Sequence, residues 1–212
     1  MFQKYENRSA VCLQFVYIFF QAFINRVNLE FLSKFNCKTL LAESAVPLIL
    51  RIYDLFMMHA SMIKPMSKTG QDKLVKDCDT LEDTIKPIHD LVNLWDSRIT
   101  DQKTRELQAF KALIVAKTED IPVMSQSGPL KTSVVLHLLF SRAPPEMKLP
   151  HESVNWSISR YSTWLEDHPG EQERLQLVQG ALESYVASTR ARNEKSYAFP
   201  YNLMLGILQS SK

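Results

Sequence analysis

Glycine is scarce. It supplies 5 of 212 residues, at Gly70, Gly128, Gly170, Gly180 and Gly206, against an ordinary share of ~7%. Loops that cradle phosphates or dinucleotides use glycine for positive φ and close backbone approach, and these five are too dispersed to build one. No Walker loop, Gly-rich cofactor turn or Gly-x-Ser-x-Gly elbow occurs. Cysteine is rarer still. Cys12, Cys37 and Cys78 are odd in number and widely spaced, which describes a reducing compartment rather than a disulfide framework. An excess of charge is also lacking. Twenty-five Lys and Arg face 23 Asp and Glu, for a net charge of +2, and the bases are scattered, so no nucleic-acid-binding face emerges.

The same poverty extends to candidate chemistry. None of the histidines at 59, 89, 137, 151 and 168 pairs with a second His or a Cys at zinc-ligand spacing. His137 stands four residues after Ser133 inside an apolar run, and a satisfied core histidine explains it better than a catalytic base. His168 follows Glu166 and Asp167 and precedes Pro169, as at a helix end. The acidic pairs Asp77–Asp79 and Glu82–Asp83 fall on a polar helix face, where solvation is the simpler reading. The expectation is a chain with no catalytic residues, no cofactor, no metal and no small-molecule substrate.

One unusual stretch lies near the start. Ser9 to Asn25 (SAVCLQFVYIFFQAFIN) carries no formal charge. It falls short of the ~20 apolar residues of a membrane span, and Gln14, Gln21 and Asn25 interrupt it. Lys4 and Arg8 resemble a signal-peptide start, but no small-x-small cleavage pattern follows. A buried or partner-covered helix is preferred over membrane insertion or a signal.

Helical periodicity dominates what is present. Leu41, Ala45, Leu48, Ile52, Phe56, His59 and Ile63 recur at three and four, with Pro47 expected to break or bend the segment. Residues 64–70 read as a connector. Leu74, Cys78, Leu81, Ile85, Ile88, Val92 and Trp95 form the clearest stripe, with a kink or split expected at Pro87. A helix over 101–117 has Asp101 as its N-cap, and 119–129 reads as a loop. For 130–140 a buried helix is favoured over a strand. The prolines at 144, 145 and 150 exclude regular helix over 141–151. Helices follow over 155–166 and 171–192, the second with Leu175, Val178, Leu182, Tyr185 and Val186 inward. A last apolar segment begins at Pro200 and runs through Leu203, Leu205 and Leu208. Of the tryptophans, Trp156 and Trp164 are placed on one helix, with a core role weighed above an interface role. The fold class is all-α, a helical bundle.

Residues 139–169 carry a more specific signal. Leu139–Phe140, Arg142-Ala143-Pro144, Glu146, Lys148, Trp156-Ser157, Arg160-Tyr161-Ser162, Trp164-Leu165 and Asp167-His168-Pro169 stand in fixed order. Glu171, Arg174-Leu175, Gly180-Ala181-Leu182-Glu183 and Tyr185-Val186 continue it, and His59-Ala60-Ser61, Pro65 and Gly70 precede it. This pattern, from about Val46 to about Leu208, resembles the C-terminal part of subunit five of the conserved oligomeric Golgi complex. On that resemblance Arg142, Pro144, Trp156, Arg160, Trp164, Asp167, His168 and Pro169 are family-signature residues, structural or interfacial.

The resemblance implies a helical-rod tethering-subunit architecture. It also implies a non-catalytic role in vesicle tethering and intra-Golgi transport, through contacts with other subunits, notably subunit seven. The expected location is the cytosol and the cytosolic face of Golgi membranes, peripherally, with the membrane touched only indirectly. Residues 1–40 are read as a divergent or mispredicted N-terminal helix and 41–212 as the C-terminal helical-bundle domain. The alternatives are a membrane-anchored helical adaptor using residues 9–25, and a hydrolase with an unrecognised site.

Overall fold

The computed structural model describes Ala22, Arg26, Glu30, Lys34, residues 37–93 and residues 96–210. The segment 9–25, apart from Ala22, and Trp95 lie outside the described residues, so the helix, membrane and signal readings of that segment are not addressed by the structure. Among the described residues the protein is all-α, with nine helices and no strand: α1 (Lys38–Ser61), α2 (Lys68–Asn93), α3 (Ser97–Val115), α4 (Ile121–Ser125), α5 (Thr132–Arg142), α6 (Pro150–Ser153), α7 (Ile158–Asp167), α8 (Glu171–Ala191) and α9 (Phe199–Ser210). None of the described helices is long and apolar enough to cross a membrane.

The chain forms two compact units, one of residues 1–52 and 77–103, the other of residues 53–76 and 104–212. The first has a small apolar core, with Ala42, Ala45, Ile49 and Ile52 from α1 and Cys78, Leu81, Ile85, Ile88 and Val92 from α2. The six described members of the predicted α2 stripe, Leu74 to Val92, are all buried. Two helices override their prolines. α2 continues through Pro87 and α1 through Pro47. In each, the residue four places earlier, whose carbonyl loses its N–H partner, is exposed: Asp83 and Glu43. Water can take those carbonyls, and burial of the apolar stripe on both sides of each proline outweighs the lost bond. The α1 stripe itself is rotated from its expected position. Ala42 and Ile49 are fully buried while Leu48 is 38% exposed, because the true stripe avoids Pro47 and its neighbour. The α3 cap also differs: the Asp96 carboxylate accepts from the Arg98 backbone N–H at 3.0 Å, one turn before the predicted Asp101.

The second unit is built around α5. All nine residues from Ser133 to Ser141 are buried, as expected for a helix apolar on every side. α8 packs on α5 and α6, and α9 on α4 and α5. The expected loop at 119–129 contains the short α4, which Pro122 starts in its first turn. α6 and α8 both end on an asparagine in the left-handed region, Asn155 at φ 56° and Asn193 at φ 57°. Trp156 N–H then bonds His151 O and Glu194 N–H bonds Thr189 O, the six-to-one closure that satisfies terminal carbonyls.

The inward face of α8 is Arg174, Val178, Ala181, Leu182, Tyr185 and Thr189; Leu175 and Val186, expected inside, lie at its half-exposed edge. In α9 the buried residues are Pro200, Tyr201, Met204 and Ile207, and Leu203, Leu205 and Leu208 are half-exposed. Gly180 sits on the exposed side of α8, where an added Cβ would meet no atom within 4 Å. Gly180→Ala is therefore expected to stabilise the protein by about 1 kcal/mol, read as a higher urea midpoint with unchanged slope.

Candidate functional site

The signature block is held together by buried or half-buried cations placed at helix ends and a loop. The last four carbonyls of a helix have no intrahelical partner, and the helix dipole favours positive charge there. In α3, Ala116 N–H still bonds Ala112 O. The Arg142 guanidinium from α5 takes the next carbonyls, donating to Leu113 O at 2.6 Å, Ile114 O at 2.8 Å and Ala116 O at 2.6 Å. Arg174 treats α7 alike, donating to Leu165 O at 2.7 Å and His168 O at 2.9 Å. Lys64 Nζ donates to Pro144 O at 3.1 Å and to Met147 O, pinning the proline-rich segment between α5 and α6. Partial burial lowers the pKa of both Arg142 and Lys64.

The N-terminus of α5 is closed from outside. Its N-cap residue Lys131 offers no side-chain bond. The Glu171 carboxylate, from the first turn of α8, accepts from Ser133 N–H at 2.5 Å and from Ser133 Oγ at 3.0 Å. One turn further, His137 Nδ1 lies 2.5 Å from Ser133 O and Nε2 lies 2.8 Å from the Tyr161 hydroxyl. A carbonyl can only accept, so Nδ1 carries the proton and Nε2 accepts from Tyr161. Burial is the main reason the imidazole is driven down to about 4, with the neighbouring His151 and Arg174 adding to the effect. Burial pushes the Tyr161 hydroxyl up, keeping it protonated.

Ser133 and His137 are thus not a nucleophile and its base. The imidazole donates to the main chain, and the serine hydroxyl donates to Glu171. The His137 ring is fully buried, so no substrate could reach it.

Four further signature residues, Trp156, Arg160, Trp164 and His168, form an aromatic ladder over the buried Tyr161. Trp156 precedes α7 instead of sharing it with Trp164, because Ser157 is the N-cap, its Oγ accepting from Arg160 N–H. The Trp156 and Trp164 centroids are 6.0 Å apart, and the Arg160 guanidinium lies 4.7 Å from the Trp156 ring centre. Trp164 stacks on Tyr161 at 6.0 Å and on His168 at 4.4 Å. Both tryptophans are half-buried, at the edge of the core. His168 caps α7, its Nδ1 2.8 Å from Trp164 O. Asp167 and Pro169 are exposed at that helix end, and Pro144 is half-buried. His59, in the last turn of α1, shares a 3.1 Å hydrogen bond with Ser162 of α7.

Two open grooves flank α9. The larger, about 970 Å³, runs along α8 and carries Leu175, Leu182, Val186, Tyr201, Leu205 and Leu208. The smaller, about 520 Å³, includes Leu130, Val135, Leu203 and Gly206. Neither is lined by a histidine. Among the described residues no cluster of three or more His, Cys, Asp or Glu could hold a metal. Sequence reasoning did not single out Lys64, Glu171, Arg174 or Tyr161 for these roles. Glu171 and Arg174 look like solvated charges at the start of an amphipathic helix, and nothing local signals the distant helix ends they serve.

A helical scaffold whose polar chemistry is spent on tying helix ends together is the class these features define. The chain is similar to curated proteins named conserved oligomeric Golgi complex subunit 5. The mouse protein is 34% identical over 196 residues, which is 90% of this chain and 23% of the mouse protein. The Drosophila melanogaster protein is 29% identical over 193 residues, 90% of this chain and 25% of the fly protein. The Arabidopsis thaliana protein is 29% identical over 157 residues, 74% of this chain and 18% of the plant protein. The chain thus spans about a quarter or less of the length of these relatives, and the likeness read from the Arg142–Pro169 block extends over most of it. No protein-family model matches the chain, and no solved structure does.

Proposed function

We propose that this chain is part of a non-catalytic subunit of the conserved oligomeric Golgi complex, acting in vesicle tethering and intra-Golgi transport through protein–protein contacts. The observation that carries the reading is the similarity to the mouse subunit over 90% of the chain. The fold supports it physically: the functional histidine and serine candidates are consumed in internal hydrogen bonds, and the accessible concave surface is apolar and open. The partners on this reading are the other subunits of that complex, notably subunit seven. The location is peripheral, at the cytosolic face of Golgi membranes and in the cytosol, with the membrane reached only through partners. The signature residues divide in role. Arg142, Pro144 and His168 are structural, at helix ends and the loop between α5 and α6. Trp156, Arg160 and Trp164 stabilise the start of α7 while remaining accessible.

The test is co-purification of the tagged full chain with each of the other subunits, produced recombinantly. Stable association with at least one of them is expected. A folded sample that associates with none overturns the proposal.

A further inference from the structure

The larger groove has features that an ordinary solvated surface does not need. α9 is apolar on nearly every side, a pattern normally met in a fully covered helix. Yet Leu205 and Leu208 are half-exposed along one flank. Across from them, Leu175, Leu182 and Val186 recur along α8 at steps of seven and four, one continuous ridge. The rim is polar, and its charges are separated. Glu183 lies midway along α8, and Arg190, exposed, lies at its C-terminal end. The Arg190 guanidinium has no carboxylate partner among the described residues.

We propose that this groove receives an amphipathic helix of a partner protein, its apolar stripe laid between α8 and α9 and an acidic side chain set against Arg190. The proposal rests on the reading of the chain as a subunit that binds other subunits. Three features favour a helix over other occupants. An apolar ridge repeating at seven and four interdigitates with a helix of matching stripe, at axes 8–10 Å apart. Both walls are helices whose backbone groups are already bonded, so nothing is offered to an added strand. The groove is long, lined from Glu171 to Arg190 along α8, whereas small-molecule pockets are compact and enclose most of their ligand. A lipid surface fits poorly, because the rim carries the carboxylate of Glu183 and the amides of Gln172, Gln176 and Gln179 rather than a cluster of bases.

The experiment measures affinity of the full chain for each purified subunit of the complex, one at a time, with Val186→Asp, Leu208→Asp and Arg190→Glu. Val123→Asp, on α4 at a 71% exposed position outside the groove, is the control. Circular dichroism and thermal midpoint verify folding. The two groove aspartates are expected to weaken binding by at least about tenfold. Arg190→Glu, at an exposed position in the last turn of α8, is expected to weaken it several-fold and to flatten its salt dependence, with the thermal midpoint reading any cost of the reversed charge at that helix end. Val123→Asp should bind like the wild type. Binding unchanged in all three groove variants overturns this proposal while leaving the proposed function standing; a wild-type chain that binds no subunit overturns both. If light scattering finds a wild-type dimer that the groove variants dissociate, the occupant is a second copy, and the partner helix is overturned.

Discussion

Arg142→Met is expected to lower the stability of the protein by about 3 kcal/mol. The guanidinium makes three hydrogen bonds to the terminal carbonyls of α3. A hydrogen bond to a charged group contributes about 1.5–3 kcal/mol, but the three share one side chain and do not add. Two of the acceptors belong to Leu113 and Ile114, which are 3% and 0% exposed. Methionine keeps most of the aliphatic stem, so the loss isolates the unpaired carbonyls and the removed charge at the helix end. Arg142→Lys should recover only part of it, because an ammonium cannot present the planar fork that reaches three carbonyls. Urea denaturation followed by tryptophan fluorescence measures this as a lower midpoint at constant slope. A loss below about 1 kcal/mol in the methionine variant would mean that water satisfies those carbonyls.

The periodic segments were legible because burial on one helix face is a local property of the chain. The α2 stripe needs no tertiary information, and six of its residues fall in the core as expected. The helix breaks at neither proline, a break being one of the two outcomes expected at each, and the reason is complementary. Pro47 and Pro87 remove a bond whose acceptor faces solvent, and only the tertiary structure shows which carbonyl that is. That the last apolar segment buries Tyr201, Met204 and Ile207 and leaves Leu203, Leu205 and Leu208 half-exposed has a similar origin. When a helix is apolar all round, its sequence does not say which side finds a neighbour. The same ambiguity makes α9 informative, since its uncovered leucines line the groove. His168 caps its own helix four residues away, and its place before Pro169 marked a helix end, but the capping by Arg142 is non-local, 26 to 29 residues away. No spacing rule reaches that far.

Acid is expected to unfold this protein early, with the stability falling from about pH 6.5 towards pH 4. His137 is the main cause. Its pKa is held down to about 4 in the folded chain, from 6.5 when solvated. Between those values the unfolded chain binds a proton that the folded chain does not, so stability is fully present above pH 6.5 and is lost as pH falls through the window. At 1.36 kcal/mol per pKa step, this one ring accounts for about 3 kcal/mol. His59 and His151 are also lowered, each chiefly by burial against an opposing carboxylate, Glu166 and Glu152 respectively. Their contributions have the same sign, and the opposing carboxylate offsets part of each. Geometry explains why His137 cannot relieve the strain by keeping a proton. Nε2 would have to give up the bond it accepts from Tyr161, and the charge would face Arg174 and His151. The double variant His137→Leu with Tyr161→Phe removes both partners together, which avoids leaving either polar group buried alone. Urea titrations at half-unit pH steps should show the wild type losing stability across the window and the double variant losing about one proton's worth less. Equal pH slopes in the two proteins would show that His137 keeps an ordinary pKa in the fold.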